Sequence, residues 1–351
     1  MSSFGPPLAS TGPHNARVFV LADHPDETRP FAGVWELKRM FATIGMSLHD
    51  CYVATVFSRQ PSGNNLHLYA SPDQTTQFRA LGPMASNPVA YMDTAHSWEI
   101  ARLHKEIAAV SPNIILALGN TATWVLGLGL GINSLRGAVH TASIPGMVSP
   151  VKVLPTYHPS SILRQWDQRV VALADLAKCE RESHYPELRF DNTELWLNPT
   201  LADLEEFDRE YMQPARLCAC DIETKRGQMD FICFTPSPAD VSLSIPFWVN
   251  GPEPNYWPTP EAEAIAWSYV RRWMERPDLI KIFQNGCYDL SYIPTLGITP
   301  RGCHEDTMLM AHSLYSELQK GLGFLGTIHA NVPSWKSMIH HRHDELVKAG
   351  D

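Results

Sequence analysis

Acidic residues with strand spacing lie early in the second half of the chain. Asp221 and Glu223 follow the apolar run LCAC, and residues i and i+2 of a strand point to the same side. Two clustered carboxylates can hold a hard cation such as Mg²⁺ or Mn²⁺ through oxygen ligands. A pair of such ions would activate a water and stabilise the leaving oxygen of a phosphodiester. The pattern D-x-E is common, however, and a solvated strand end is the alternative interpretation.

A second polar cluster lies in the segment KIFQNGCYD. Asn285 and Asp289 fall at a predicted strand-to-helix junction, and their i, i+4 spacing predicts one helical face. Asp306 begins a later apolar segment, where capping of a helix is the expected role. The second cluster favours a functional site over a solvated strand end.

These motifs resemble the 3′→5′ proofreading exonuclease of family A DNA polymerases, particularly the bacteriophage type. DIET is similar to the first exonuclease motif, QNGCYDLSYI to the second, and DTMLMAHSLYSELQKGLGFL to the segment that follows. The resemblance covers about residues 198–335. It implies that Asp221, Glu223 and Asp289 are the catalytic metal carboxylates. It also implies that Asn285 and Tyr288 contact the DNA.

The sequence departs from this family at the third motif, Tyr-x-x-x-Asp. No Tyr follows Tyr315, and His340 and Asp344 have the internal spacing but come too soon after Asp306. A missing last Asp removes one metal ligand. Three expectations therefore stay open: one piece of a split polymerase, a truncated chain, or a silent nuclease that serves as a scaffold.

The first half carries a second set of candidate residues near the ends of predicted strands. Open α/β sheets place their ligands at the carboxyl ends of the strands. An aromatic ring there could stack on a base that has been flipped out of its helix. The alternative is that the histidines are satisfied loop residues and the Phe is core. The candidate pocket residues are Asp23, His24, Phe31, Thr55 and His158.

The segment HPSSILR follows the last predicted strand of this half. A loop that contains Pro and Ser at a sheet edge can hold phosphates, and an apolar side chain beside it can act as a wedge. The residues expected to contact DNA here are His158, Ser160, Leu163 and Arg164.

This half resembles the uracil-DNA glycosylase superfamily, especially its iron–sulfur-containing bacterial branch and phage relatives. HPSSILR is similar to the His-Pro-Ser loop, ADHPDETRPFAG to the first motif, and ILALGNTAT to the strand–Gly–helix segment between them. The resemblance covers about residues 16–180. It implies the fold of that superfamily and a DNA-binding pocket.

Several positions depart from that superfamily. Ala22 and Asp26 replace two glycines of the first motif, and Thr55 stands where an Asn normally reads uracil. A single hydroxyl cannot supply the bidentate pattern of an amide. Only Cys51 precedes Cys179, so we expect no iron–sulfur cluster. The expectation is a degenerate glycosylase-like domain that binds DNA or a protein, with an active uracil-DNA glycosylase as the alternative.

The elements that must position these residues predict two α/β domains. Apolar strands that alternate with helices in the first half indicate a parallel-sheet α/β/α sandwich. Strands first and α/β alternation afterwards indicate an RNase H-like mixed sheet that is incomplete at its C-terminus. The expected bounds are a disordered lead at 1–15, a glycosylase-like domain at 16–182, a linker at 183–199 and an exonuclease domain at 200–351.

Composition limits the class of protein further. No apolar run approaches the ~18 residues needed to span a bilayer. Seven scattered cysteines are typical of a reducing cytoplasm, or of a host cytoplasm if the chain is phage-encoded. Residues 1–190 carry 15 Lys and Arg against 14 Asp and Glu, whereas 191–351 carry 13 against 23. An acidic half is a poor non-specific DNA binder. The expected partners are DNA, as a single-stranded 3′ end or primer-template, and a DNA polymerase subunit that supplies a basic track.

Overall fold

A computed structural model describes most of the chain. The described residues are 3–71, 78, 81–86, 88–189, 193–225, 227–249, 255–302 and 304–330. They form two compact units, divided after residue 190 and again after residue 322. His340 and Asp344 lie outside the described residues.

The first unit alternates strands and helices. Its strands are β1 (Phe4–Pro7), β2 (Val18–Ala22), β3 (Tyr52–Thr55), β4 (Arg59–Pro61), β5 (Ala70–Ser71), β6 (Ala85–Ser86), β7 (Val89–Met92), β8 (Ile114–Leu118), β9 (His140–Ala142) and β10 (Val151–Thr156). Its helices are α1 (Val34–Thr43), α2 (Ser97–Val110), α3 (Gly119–Val125), α4 (Ile132–Leu135), α5 (Pro159–Ile162) and α6 (Gln168–Glu182).

Four parallel strands form the centre of this unit, in the order β3-β2-β8-β10, and β9 pairs antiparallel with β10 at the edge. Every residue of β2, β3, β8 and β10 is buried. Continuous apolar runs of this kind belong to strands that are covered on both faces. The predicted parallel α/β/α sandwich is therefore confirmed.

The start of the chain differs from the expectation. Residues 1–15 were expected to be disordered, but β1 pairs antiparallel with β4, and the Leu8 N–H donates to the Ser58 carbonyl. Phe4 anchors this segment because its ring packs 4.7 Å from that of Tyr69. The strands β5, β7 and β6 form a further small sheet in this unit.

The second unit contains a mixed sheet with helices. Its strands are β11 (Glu194–Trp196), β12 (Leu217–Lys225), β13 (Gln228–Ser237), β14 (Val241–Pro246), β15 (Ile280–Phe283) and β16 (His304–Asp306). Its helices are α7 (Leu201–Phe207), α8 (Pro260–Met274), α9 (Cys287–Tyr292) and α10 (Thr307–Leu314), and α11 (Leu322–His329) follows.

The strand order of this sheet is β11-β14-β13-β12-β15-β16. β13 runs antiparallel to both neighbours, whereas β15 and β16 run parallel to β12. If the strands from β12 onward are numbered 1 to 5 along the chain, their order in the sheet is 3-2-1-4-5, and strand 2 (β13) runs antiparallel to the others. This arrangement defines an RNase H-like mixed sheet, as predicted. Residues 183–199 were expected to form a linker, but within them β11 pairs parallel with β14 as an edge strand of the sheet.

Residues 323–330 belong to the first unit, although the second domain was expected to run from 200 to 351. The buried Lys178 ammonium donates to the carbonyl oxygens of Gly137, Thr327 and Ala330 at 2.8, 2.5 and 2.9 Å. Arg136, which is paired with buried Asp175, also donates to the Thr327 hydroxyl at 3.1 Å. These hydrogen bonds hold the segment, so the second unit is inserted between two parts of the first.

Among the residues that the structure describes, no helix combines the length and apolar character needed to cross a bilayer.

Candidate functional sites

The alternation of β12 sorts its side chains between core and surface. Cys218, Cys220 and Ile222 are buried in the core of the second unit, whereas Asp221 and Glu223 face outward. The two acids share one face because successive strand residues point to opposite sides. The prediction that these carboxylates lie side by side is therefore confirmed by the geometry of the strand.

Asp289 reaches the same strand from the first turn of α9. Its side chain is buried, and its Oδ1 accepts the Ile222 backbone N–H at 3.1 Å. Ile222 lies between the two outward-facing acids, so the second acidic motif meets the first at this point of the sheet. Burial raises the pKa of Asp289, as do the nearby charges of Asp306 and Glu223, against the lowering effect of the hydrogen bond from Ile222.

Within this carboxylate cluster, both burial and neighbouring charges act on Asp221. Burial, followed by the charges of Asp289 and Glu223, raises the pKa of Asp221 to about 6. Asp221, Glu223 and Asp289 thus form an electrostatically coupled group of oxygen donors.

A hard divalent cation suits such a group, because carboxylate oxygens are its preferred ligands and repulsion would be relieved on binding. Asp221 and Glu223 are the side chains that would hold it, with Asp289 beside them. The described part of the chain contains no set of three or more His, Cys, Asp or Glu side chains placed to bind one metal ion. The donors are thus chemically suited but are not gathered into a three-ligand set.

Asn285 does not lie on the helix that carries Asp289, contrary to the expectation from i, i+4 spacing. It takes a left-handed conformation, with φ of 63°, in the turn between β15 and α9. Asn tolerates this conformation better than most residues. Asn285 and Tyr288 are both exposed, and the Tyr288 hydroxyl contacts the Thr224 hydroxyl of β12. Both predicted DNA contacts are thus accessible next to the carboxylate cluster.

Asp306 performs the expected structural role. It caps α10 by accepting the backbone N–H groups of Met308 and Leu309 at 2.8 and 3.2 Å. It also accepts the N–H groups of Asn285 and Gly286 at 3.3 and 2.8 Å. Burial works to raise the pKa of Asp306, but these four hydrogen bonds lower it. Asp306 therefore fixes the turn that carries Asn285.

In the first unit, the predicted residues meet at the carboxyl ends of the parallel strands. Asp23 follows β2, Thr55 ends β3 and His158 follows β10. Gly119 follows β8 with φ of 79°, and a Cβ at this position would lie 3.1 Å from the His158 Cβ. Gly119 is the glycine of the segment ILALGNTAT, which resembles a strand–Gly–helix motif.

Hydrogen bonds define the protonation of His158. The Ser160 backbone N–H donates to His158 Nδ1 at 3.2 Å, and the Ser160 hydroxyl lies 2.7 Å from the same nitrogen. Nδ1 is therefore the acceptor, so the neutral ring carries its proton on Nε2. This atom lies 3.4 Å from Asp23 Oδ1 and is buried without a hydrogen-bond partner among the residues that the structure describes.

Asp23 is ionised at neutral pH. Burial works to raise its pKa, but the charge and hydrogen bond of His158, followed by those of His24, lower the pKa to about 2. The His24 backbone N–H donates to Asp23 Oδ1 at 2.8 Å. Asp23 and His158 thus form a polarised pair at the edge of the sheet.

The remaining pocket residues are closed off from solvent. Phe31 is fully buried, with its ring 5.9 Å from that of His158 in an edge-on contact, and His24 and Thr55 are also buried. Two clefts of about 320 and 740 Å³ in this unit are lined by other residues. Of the predicted DNA contacts, Leu163 and Arg164 are exposed and Ser160 is half-buried.

A comparison with family models finds a match, which lies in the first unit. Residues 9–181 match the family model of the uracil DNA glycosylase superfamily. No curated protein matches the chain. The match and the strand order together define the first unit as a uracil-DNA glycosylase-like α/β domain.

Solved structures also resemble parts of the chain. Trypanosoma brucei RNase D has 16% identity and a TM-score of 0.27, over 35% of this chain and 41% of that one. Brucella melitensis NrnC with bound Mg²⁺ has 14% identity and a TM-score of 0.29, over 40% of this chain and 63% of that one. Escherichia coli RNase D, an exoribonuclease involved in structured RNA processing, has 16% identity and a TM-score of 0.29, over 40% and 34%. The chain spans less than two thirds of each of these proteins, and the RNase H-like class of the second unit rests on its own strand order.

Proposed function

We propose that the second unit is a metal-dependent 3′→5′ exonuclease that removes nucleotides from the end of a DNA strand. The observation that carries this proposal is the coupling of Asp221, Glu223 and Asp289 at one point of the sheet. Bound Mg²⁺ or Mn²⁺ ions would activate a water and stabilise the leaving oxygen. The resemblance of the three ordered motifs to proofreading exonucleases supports the same activity.

The surrounding residues have separate tasks in this proposal. Asp221 and Glu223 hold the cation on the open face of β12, and Asp289 is oriented by its hydrogen bond to Ile222. Asn285 and Tyr288 contact the terminal nucleotide, because both are exposed beside the carboxylates.

Digestion of a 5′-labelled single-stranded oligonucleotide tests the proposal. The wild-type chain with Mg²⁺ or Mn²⁺ should yield a ladder of 3′-shortened products that EDTA abolishes. Asp221→Asn and Glu223→Gln should each slow digestion by at least about 100-fold, since each removes a metal carboxylate. Glu206→Gln, which changes an exposed acid on α7, is the matched control and should digest like wild type. Equal activity of Asp221→Asn and wild type would contradict the assignment, and an RNA strand of the same sequence shows which nucleic acid is preferred.

A catalytically silent scaffold is the second candidate for this unit. The described residues contain no set of three or more His, Cys, Asp or Glu side chains placed to bind one metal ion, which favours this candidate. No digestion by either wild type or Asp221→Asn would point to this function.

A finer proposal is that the second unit is the proofreading part of a phage-type family A polymerase that acts on primer-template DNA. It predicts co-elution with a polymerase chain that carries the family's third motif, Tyr-x-x-x-Asp.

For the first unit, we propose binding of nucleic acid without excision of uracil. Thr55 replaces the amide that would read uracil, and Phe31 is buried against His158 instead of lining an open pocket. Uracil-containing DNA incubated with the chain and then treated with alkali should show no cleavage at abasic sites. Cleavage at uracil that is lost in Asp23→Asn would establish an active glycosylase instead.

A further inference from the structure

Two exposed tryptophans on the first unit each lie beside an arginine. Trp35 on α1 is 45% exposed, and Trp166 in the turn between α5 and α6 is 56% exposed. The guanidinium carbon of Arg39 lies 6.0 Å from the centre of the Trp35 ring, and that of Arg169 lies 5.3 Å from Trp166. Each aromatic ring is therefore paired with a cation at the surface.

The buried carboxylate of Glu36 joins the two pairs into one surface. Arg169 Nε lies 2.7 Å from Glu36 Oε1, and Arg39 Nη1 lies 3.6 Å from Glu36 Oε2. Glu36 is fully buried on α1, so it holds both guanidinium groups in place from below. We call the set Trp35, Arg39, Glu36, Arg169 and Trp166 the Trp35–Trp166 surface.

Further apolar and basic side chains extend the Trp35–Trp166 surface. Leu163 and Val170 are exposed on either side of Trp166, at 40% and 38%. Lys38 and Arg164 are exposed on the same two chain segments, where Asp167 is the one exposed acid. On these two segments, exposed cations therefore outnumber exposed acids.

We propose that the Trp35–Trp166 surface binds single-stranded nucleic acid by stacking bases on the two indole rings. Unpaired bases stack on exposed aromatic and guanidinium groups without regard to sequence, and basic side chains contact the phosphates. The excess of cations favours a polyanion over an apolar protein partner. The inference rests on the proposed function of the first unit as a nucleic-acid-binding domain and names the surface that performs it.

Fluorescence anisotropy of a labelled oligo(dT) strand of about 12 nucleotides, with the full chain in EDTA, tests the inference. EDTA prevents metal-dependent digestion, so binding is measured alone. Trp35→Ala and Trp166→Ala should each weaken binding roughly 5- to 100-fold, which is the range for one lost base-stacking contact. Trp35→Phe and Trp166→Phe should keep most of the affinity, since a benzene ring still stacks.

Trp98→Ala is the matched control, because Trp98 on α2 is 47% exposed and is not part of the Trp35–Trp166 surface. It should bind like wild type. Unchanged affinity of the Trp35→Ala/Trp166→Ala double variant, with an unchanged unfolding midpoint, would overturn the inference and indicate a protein partner for this surface. Equal weakening by Trp98→Ala would also overturn it.

The nuclease proposal is tested separately by digestion with Mg²⁺. Digestion by wild type together with unchanged binding of the double variant would overturn only the surface assignment. Weakened binding of the double variant together with no digestion by wild type would support the surface and overturn only the nuclease proposal.

Discussion

At the scale of single residues, like charges define the candidate nuclease site. Asp221 lies on the open face of β12 with a pKa of about 6, raised by burial and by the charges of Asp289 and Glu223. An acid with a raised pKa destabilises the folded state when it is ionised. Such strain at neutral pH is typical of a site whose residues are arranged for binding and not for stability.

Asp221→Asn should therefore stabilise the second unit at neutral pH while it abolishes digestion. The folded pKa lies above the ordinary value of 3.8, so wild-type stability rises as the pH falls from about 6 toward 4. After a discount for the half-exposed side chain, the gain of the variant at pH 7 is about 1 kcal/mol, or about 4 °C in unfolding midpoint. Thermal unfolding followed by circular dichroism at pH 7 and pH 4 measures it. A variant that is less stable than wild type at pH 7 would show that Asp221 has a structural role.

At the scale of elements, the buried ammonium of Lys178 contributes to holding α11 on the first unit. Lys178 on α6 donates to three backbone carbonyl oxygens, two of which belong to Thr327 and Ala330. A buried carbonyl that loses its donor costs about 1–3 kcal/mol. The attachment of residues 323–330 is thus concentrated in a few hydrogen bonds.

Lys178→Met should loosen this segment while leaving the rest of the first unit folded. The methionine keeps much of the side-chain volume but donates no hydrogen bond. The free energy of local opening of residues 323–330, which protects their amides from exchange, should therefore fall by about 2–4 kcal/mol. Hydrogen–deuterium exchange read by mass spectrometry on peptides that cover 323–330 provides the measurement. Lys105→Met, at an exposed position of α2, is the control and should exchange like wild type. Unchanged protection in Lys178→Met would assign the attachment to other contacts.

At the scale of the whole molecule, each unit has a hydrophobic core of its own. The core of the first surrounds the parallel sheet, with Phe19, Leu116 and Trp124 fully buried. The core of the second unit lies between the mixed sheet on one side and the helices α7 and α8 on the other. It includes Phe207, Phe234 and Trp273. Separate cores allow separate cooperative unfolding, even though the second unit is inserted into the chain of the first.

We expect two transitions in differential scanning calorimetry of the full chain. Asp221→Asn should shift only the transition of the second unit, and Lys178→Met only that of the first, because each changed residue belongs to one unit. One transition whose calorimetric and van't Hoff enthalpies agree would show that the chain unfolds as a single cooperative body.

The sequence by itself determined both fold classes and the identity of the acidic motifs. Alternation in LCACDIET places Asp221 and Glu223 on one face, and the continuous apolar run IILAL requires a strand covered on both sides. These conclusions depend only on local periodicity, which the backbone geometry of a strand imposes wherever it forms.

Only the tertiary structure decided how distant segments meet. Residues 4–7 and 194–196 carry weak local signals and become strands because β4 and β14 offer unpaired edges. The left-handed turn at Asn285 depends on Asp306, which lies 21 residues later in the chain. Phe31 became core instead of an open stacking surface because His158 packs against it. Each of these outcomes depends on contacts between residues far apart in the chain, which the local pattern of side chains does not encode.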